Sequence, residues 1–312
     1  MLLSLLALAL LGCNEFRLDP IDPDGPPPVQ VVVEDIFVQA PNPAVDVLFV
    51  IDATPSMAQE LGALAQNVSV LVDTLDGFDL DWQIGVVSAN AEDAHPGWLL
   101  GTPYVLTASD PEPVRSFAER LPMVGSSGEA GLSAAVTALE LSGPGAPNAG
   151  FRRAGAVLQV VFVSDADDHS DPWLAAPVDD FLATLASFQD AGQPVRASAL
   201  VGDVPDGCVS PTGSAQAGTR YVAVAEQTGG QTASICDIDF GALLAVLGED
   251  SVDLPVRFEL RGQPLSGTVS VEVDGVPESD WVVEPGGPAL VFVEPPPAGA
   301  RVTVRYAVRE GA

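Results

Sequence analysis

"VDVLFVIDATPSMAQE", residues Val45 to Glu60, decides the fold. Its opening seven residues are a short apolar run rich in β-branched side chains, the pattern of a strand buried on both faces. The run ends in Asp52, Thr54 and Ser56, three oxygen-bearing side chains at alternate positions. Met57, Leu61, Leu64, Val68, Leu71 and Leu75 follow at spacings of four and three, the stripe of an amphipathic helix. A buried strand that passes straight into a helix is half of a strand-crossover-strand unit, and ligands of such sheets sit at the carboxyl ends of the strands.

The alternation continues outward from there. Strands are expected at 82–89, 157–164 and 195–202, with a short one in "QTASI"; helices at 111–121, 129–141, 178–189 and 220–230, and a last one in "FGALLAVLG". The fold class is therefore α/β, a Rossmann-like doubly wound and mostly parallel sheet with helices on both faces. After Ser251 the pattern changes to short β-rich runs ("VRFEL", "TVSVEVDG", "WVVE", "ALVFV", "RVTVRYAV") separated by Gly- and Pro-containing turns, which reads as a small all-β domain over 251–312.

The chain has 312 residues, an apolar fraction of 47% and a formal charge of −31. That is enough length and apolar content for a sizeable core. Lysine is absent, so every basic side chain is an arginine or one of two histidines. Such a charge balance excludes nucleic acid as a partner and suits cations or high salt; the composition also fits a GC-rich genome. Without lysine there is no phosphate-binding P-loop and no Schiff-base chemistry, and neither a GxSxG elbow nor an HExxH helix occurs.

The first twelve residues, "MLLSLLALALLG", are too short to span a bilayer and read as a secretory signal peptide over 1–12. "LLGC" (Leu10 to Cys13) resembles the bacterial lipobox, which implies lipidation of Cys13 and export to the cell envelope, most simply the outer membrane. Residues 14–30 carry five prolines among several acids, a tether, and "VVVEDIFVQ" after it has the pattern of an edge strand; tether and strand together occupy 13–44. With Cys13 lipidated, Cys208 and Cys236 remain as an even pair in an exported chain, and a disulfide between them is expected.

Three junctions at the top of the expected sheet bear hard oxygen donors: Asp52, Thr54 and Ser56; Ser126 and Ser127 in "GSSGEAGL"; and Asp165 in "SDADDHSD". Hydroxyls with one or two carboxylates suit an octahedral hard cation that retains some water. "DATPS" resembles the D-x-S-x-S motif of the von Willebrand factor type A family, with Thr54 in place of the first serine. "GSSGEAGL" resembles that family's second loop, with Ser126 where threonine is usual, and "FVSDADD" resembles its third. The resemblance runs from about residue 45 to 250, and is closest to exported bacterial lipoproteins of the family. It implies a metal-ion-dependent adhesion site in which Asp52, Thr54, Ser56, Ser126 and Asp165 hold Mg²⁺ or Mn²⁺, with Ca²⁺ as a further option. One position would be left open for a carboxylate from a protein ligand. Both substitutions keep a hydroxyl. Glu129, Asp167 and Asp168 lie near enough in sequence to modulate the metal or the ligand.

The function expected is thus a non-enzymatic, divalent-cation-dependent protein-binding module, adhesive or scaffolding, attached to the membrane by its lipid only. Two alternatives stand beside it. One is a metal-dependent hydrolase using the Asp165–His169 loop; the other is a metal-free structural surface protein.

Overall fold

The computed structural model describes residues 30–39, 44–52, 54–124, 128–188, 194–211, 213–237, 239–252, 254–297 and 299–309. The signal-peptide and lipobox expectations, including Cys13, and most of the tether lie outside these residues, as does Ser126. In chain order the strands are β1 Gln30–Val38, β2 Ala44–Ile51, β3 Asp81–Ser88, β4 Val105–Thr107, β5 Val157–Ser164, β6 Val195–Val201, β7 Cys208–Ser210, β8 Gly213–Ala215, β9 Thr232–Ser234, β10 Arg257–Glu259, β11 Ser270–Val273, β12 Val276–Glu278, β13 Trp281–Val283, β14 Ala289–Phe292 and β15 Arg301–Arg309. The helices are α1 Ala58–Gly77, α2 Pro113–Ala118, α3 Gly131–Glu140, α4 Pro177–Ser187, α5 Thr219–Thr228 and α6 Gly241–Asp250. No helix among the described residues is long and apolar enough to cross a membrane.

Six strands form the main sheet in the order β4-β3-β2-β5-β6-β9, and only β4 runs antiparallel to its neighbour. β2 is buried on both faces, as its apolar run requires. Val45, Val47, Phe49 and Ile51 pack on one side with α1, α2 and α6, while Leu48 and Val50 pack on the other with α3, α4 and α5. On α1, Leu64, Val68, Leu71 and Leu75 of the expected stripe are fully buried. Sequential strands feeding helices on alternate faces make the sheet doubly wound, so the carboxyl ends of β2, β3 and β5 lie side by side at one edge.

The C-terminal strands form two antiparallel sheets, β1-β15-β11-β12 and β10-β14-β13, around a separate core of Phe258, Leu290, Phe292, Val302, Val304 and Tyr306. β1, expected as an edge strand beside the tether, is the edge strand of this C-terminal sheet. It pairs with β15 from Gln30↔Arg309 to Val38↔Arg301. Its inward residues Val33 and Phe37 join the C-terminal core, and Phe37 lies 5.2 Å from Phe258 between ring centroids. Asp35, also inward and buried, accepts hydrogen bonds from Tyr306 Oη (2.6 Å) and Arg261 N (3.0 Å) and pairs with the Arg261 guanidinium. These donors hold its carboxyl below the usual range against the opposing effect of burial. The α/β unit is therefore inserted between the first strand and the rest of a β unit.

Candidate metal centre

Asp52 follows the last residue of β2, the third strand of six, and its N–H donates to Val163 O of β5 at 2.9 Å. The side chain is almost wholly buried. Its Oδ1 accepts the Thr54 N–H (2.8 Å) and its Oδ2 accepts the Ser164 hydroxyl (2.9 Å). Both donors are neutral. Burial pushes the Asp52 carboxyl up to about 6, and the nearby Asp165 charge adds to the rise against those two hydrogen bonds. Thr54 Oγ1 and Ser56 Oγ stand 3.0 Å apart, so the alternation in "DATPS" does bring two hydroxyls to one place. Pro55 then opens a short 3₁₀ turn, Pro55–Met57, that leads into α1.

The second loop is brought to the site by a close backbone crossing. Ala130 N donates to Ala89 O, just beyond β3, at 3.0 Å. Gly128 has φ +116°, and a Cβ there would lie 2.3 Å from Asn90 Cα, so only glycine fits this crossing. Glu129 follows immediately. Its Oε2 is 2.8 Å from His169 Nδ1, and its carbonyl accepts the His169 N–H at 2.7 Å. The Glu129 carboxylate is thus tied to the third loop.

Within "SDADDHSD" the carboxylates separate by role. Asp168 is sealed from solvent. Its Oδ1 accepts Leu132 N (2.9 Å) and Ser170 Oγ (2.7 Å), while Ser170 Oγ accepts Ser133 N (2.9 Å), so the pair caps the start of α3. Asp167 Oδ1 accepts Arg220 N at 2.9 Å and caps α5 in the same way. Arg220 reaches Asp168 and grips Asp171 through two hydrogen bonds of 2.7 and 2.9 Å. Asp167 and Asp168, expected as modulators of metal or ligand, are thereby engaged in holding two helices, and Asp165 is left to face the cavity.

That cavity has a volume of about 630 Å³ and is lined by Ser56, Glu129 and Asp165 on one side. The opposite wall, which sequence reading missed, is the β7–β8 hairpin with Asp206 and Gly207 before it. Cys208 and Cys236 are bridged, as expected, and the bridge pins the hairpin to the loop after β9. Gln216 N also donates to Asp165 O at 2.8 Å. Gly202 is forced by this packing, because a Cβ there would lie 1.9 Å from Gln216 O. The signal for the wall was present in the stretch from 202 to 218, with its four glycines and Cys208, but the stretch lacks any apolar period.

A small, hard divalent cation fits these residues. The donors at hand are carboxylate and hydroxyl oxygens, with no soft ligand among them. Asp52 is a buried carboxylate whose described hydrogen-bond donors carry no positive charge, an arrangement that a cation would stabilise. Among the described residues no group of three or more His, Cys, Asp or Glu side chains gathers to hold a metal, so the hydroxyls are essential to this donor set.

The α/β unit thus has the doubly wound, mostly parallel architecture that the resemblance to von Willebrand factor type A domains implied, with the motif loops at the carboxyl ends of its strands. No protein-family model matches the chain, and no curated protein does. Among solved structures it is similar to a von Willebrand factor type A protein from Catenulispora acidiphila, at 12% identity over 90% of this chain and 66% of that one, TM-score 0.41. It is similar also to the pilus adhesin SpaC from Lactobacillus rhamnosus GG, at 13% identity over 90% and 42%, TM-score 0.43. Proximal thread matrix protein 1 of the mussel byssus matches at 14% over 70% and 47%, TM-score 0.38. The chain spans less than two thirds of each of these structures.

Proposed function

We propose that the protein is an exported, envelope-anchored binding module that grips a protein partner through a divalent cation held by Asp52, Thr54, Ser56, Ser126 and Asp165. One observation carries this reading: a buried Asp52 carboxylate, bonded only by neutral donors among the described residues, beside paired Thr54 and Ser56 hydroxyls at the mouth of an acidic cavity. When bound, Mg²⁺ or Mn²⁺ would supply positive charge beside the cavity and a coordination position for a carboxylate of the partner.

The chain's own residues do the rest. β2 and β5 hold Asp52 and Asp165 on adjacent strand ends, and the His169 contact keeps the Glu129 carboxylate to one side. The disulfide-pinned hairpin forms one wall of the cavity. Lipidation of Cys13 and the Pro-rich stretch after it would hold the module off the outer membrane, and a disulfide is in keeping with an exported protein.

The test is thermal unfolding with Mg²⁺ or Mn²⁺. By mass action a cation at a hundredfold over its dissociation constant adds about 2.7 kcal/mol. For a unit of this size that is roughly 5–10 °C in Tm. Asp52→Ala should abolish the rise. Sodium chloride at matched ionic strength is the control, because a chain of charge −31 gains from any screening. A shift reproduced by sodium chloride, or kept by Asp52→Ala, rules out this metal site.

A further inference from the structure

A second cavity, of about 300 Å³, opens between the first half of α1 and the loop that follows Cys236. It shares none of its lining residues with the candidate metal centre. Glu60 forms part of its lining and is itself 9% exposed, and Oε2 of its carboxylate is buried with no hydrogen-bond partner. A carboxylate oxygen in that state is costly, and the cost is relieved by a cationic donor. The surroundings specify which kind. Asp237 supplies a second carboxylate at the exposed side. Asn67 donates its Nδ2 to Ala63 O at 2.9 Å, which leaves its Oδ1 as an acceptor. Ile235 and Phe240, both buried, give the cavity an apolar side.

The volume is far larger than a metal ion needs, and the described residues gather no set of three or more His, Cys, Asp or Glu ligands. Acceptors spread around an apolar side match a flat, multiply donating head on an aliphatic stem. Guanidinium meets that description better than ammonium, because it is more weakly hydrated and presents several N–H groups in one plane.

We propose that this cavity is a second binding site, one that receives an arginine side chain of a partner polypeptide. The Glu60 carboxylate accepts the buried N–H groups, Asn67 Oδ1 and Asp237 accept the outer ones, and the stem lies along Ile235 and Phe240. The site is independent of the metal reading.

n-Butylguanidine, the bare head and stem, is the probe, titrated into the full chain by calorimetry and by NMR of the Ile235 methyl groups. The expected result is saturable millimolar binding centred on Ile235, with no response to the neutral isostere n-butylurea at about the same concentrations. Glu60→Gln should weaken binding roughly tenfold and Asp237→Asn, at the exposed side, roughly threefold. Asp52→Ala should leave it unchanged, which separates this site from the metal centre. Equal binding of n-butylurea, unchanged affinity in both Glu60→Gln and Asp237→Asn, a saturable response to CaCl₂ in place of the guanidine, or no saturable response at all would each overturn the proposal.

Discussion

Breaking the Cys208–Cys236 bridge should loosen one wall of the cavity at the candidate metal centre and lower stability by a calculable amount. The bridged residues are separated by 28 positions. In the chain-entropy model, closing a loop of that length lowers the entropy of the unfolded chain enough to stabilise the fold by about 3.6 kcal/mol. In a unit of this size that corresponds to roughly 7–14 °C in Tm. Both cysteines pack against the core between the sheet and α1, where Ala215 of the hairpin and Ile235 beside Cys236 are buried. Loss of the bridge is therefore transmitted to packed residues and is not confined to a surface loop. The assay is urea unfolding of the wild-type protein, with and without reductant, beside the Cys208→Ser/Cys236→Ser variant. The reduced protein and the double variant should agree, and both should fall below the oxidised protein by about the calculated amount. Two titratable thiols in the unreduced protein would refute the bridge. A midpoint that ignores reductant would refute the argument that the bridge matters to the folded unit.

Asp168→Ala removes the acceptor for Leu132 N and leaves Arg220 without its buried partner; it should destabilise the α/β unit by about 3 kcal/mol in urea unfolding, with the proposed metal ligands untouched. Asp46, buried at the start of β2, is pushed up to about 6 by burial despite the Arg153 hydrogen bonds and charge. The folded state therefore holds that proton more tightly than the unfolded chain, so this stabilisation is complete below about pH 4 and is lost as pH rises towards 6. Measured against Asp46→Asn, wild-type stability should fall over that window by on the order of 3 kcal/mol, and a difference that grows with pH instead would contradict the sign. Tyr306→Phe deletes the 2.6 Å hydrogen bond to Asp35 and should cost about 1–2 kcal/mol in unfolding of the β unit. A fragment of residues 44–250 should unfold cooperatively, whereas residues 30–250, which retain β1 without β15, should associate at concentrations where the shorter fragment is monomeric by light scattering.

The central sheet was legible because its strands carry a purely local signal. β2 and β5 are buried on both faces and are apolar save for Asp46, Gln159 and Ser164, and each is followed by a helix with its own stripe. The elements that escaped notice lack such a signal. β4 has three residues on an edge, and β7 and β8 are three-residue strands with exposed Val209 and Gly213, held by a disulfide and a backbone bond from Gln216 to Asp165. At the site, the "DATPS" alternation was enough to predict the facing hydroxyls, because strand geometry and a following helix leave them little freedom. Composition alone could not divide the labour among Asp165, Asp167 and Asp168. Their roles depend on where the starts of α3 and α5 arrive, and both helices begin far away in sequence or after an intervening strand.

β1 marks where local reading ends. Its alternation of Val33, Asp35 and Phe37 inward against Val32, Glu34 and Ile36 outward is visible from the sequence, but its partner lies at the other end of the chain. A strand beside a proline-rich stretch looks like the end of a tether until β15 is placed next to it. The buried Asp35 is the residue that makes this pairing specific. A one-residue slip would turn Asp35 outward, strand Tyr306 and the Arg261 contact, and bury Glu34 and Ile36 in place of Val33 and Phe37. Register is thus set by a polar group whose partners are Tyr306 of β15 and Arg261, two residues beyond β10. The same arrangement determines how load would reach the α/β unit. A pull on the chain ahead of Gln30 runs along the backbone of β1, which is already extended and clamped along its length by β15, before it reaches β2 and the end of the strand that carries Asp52.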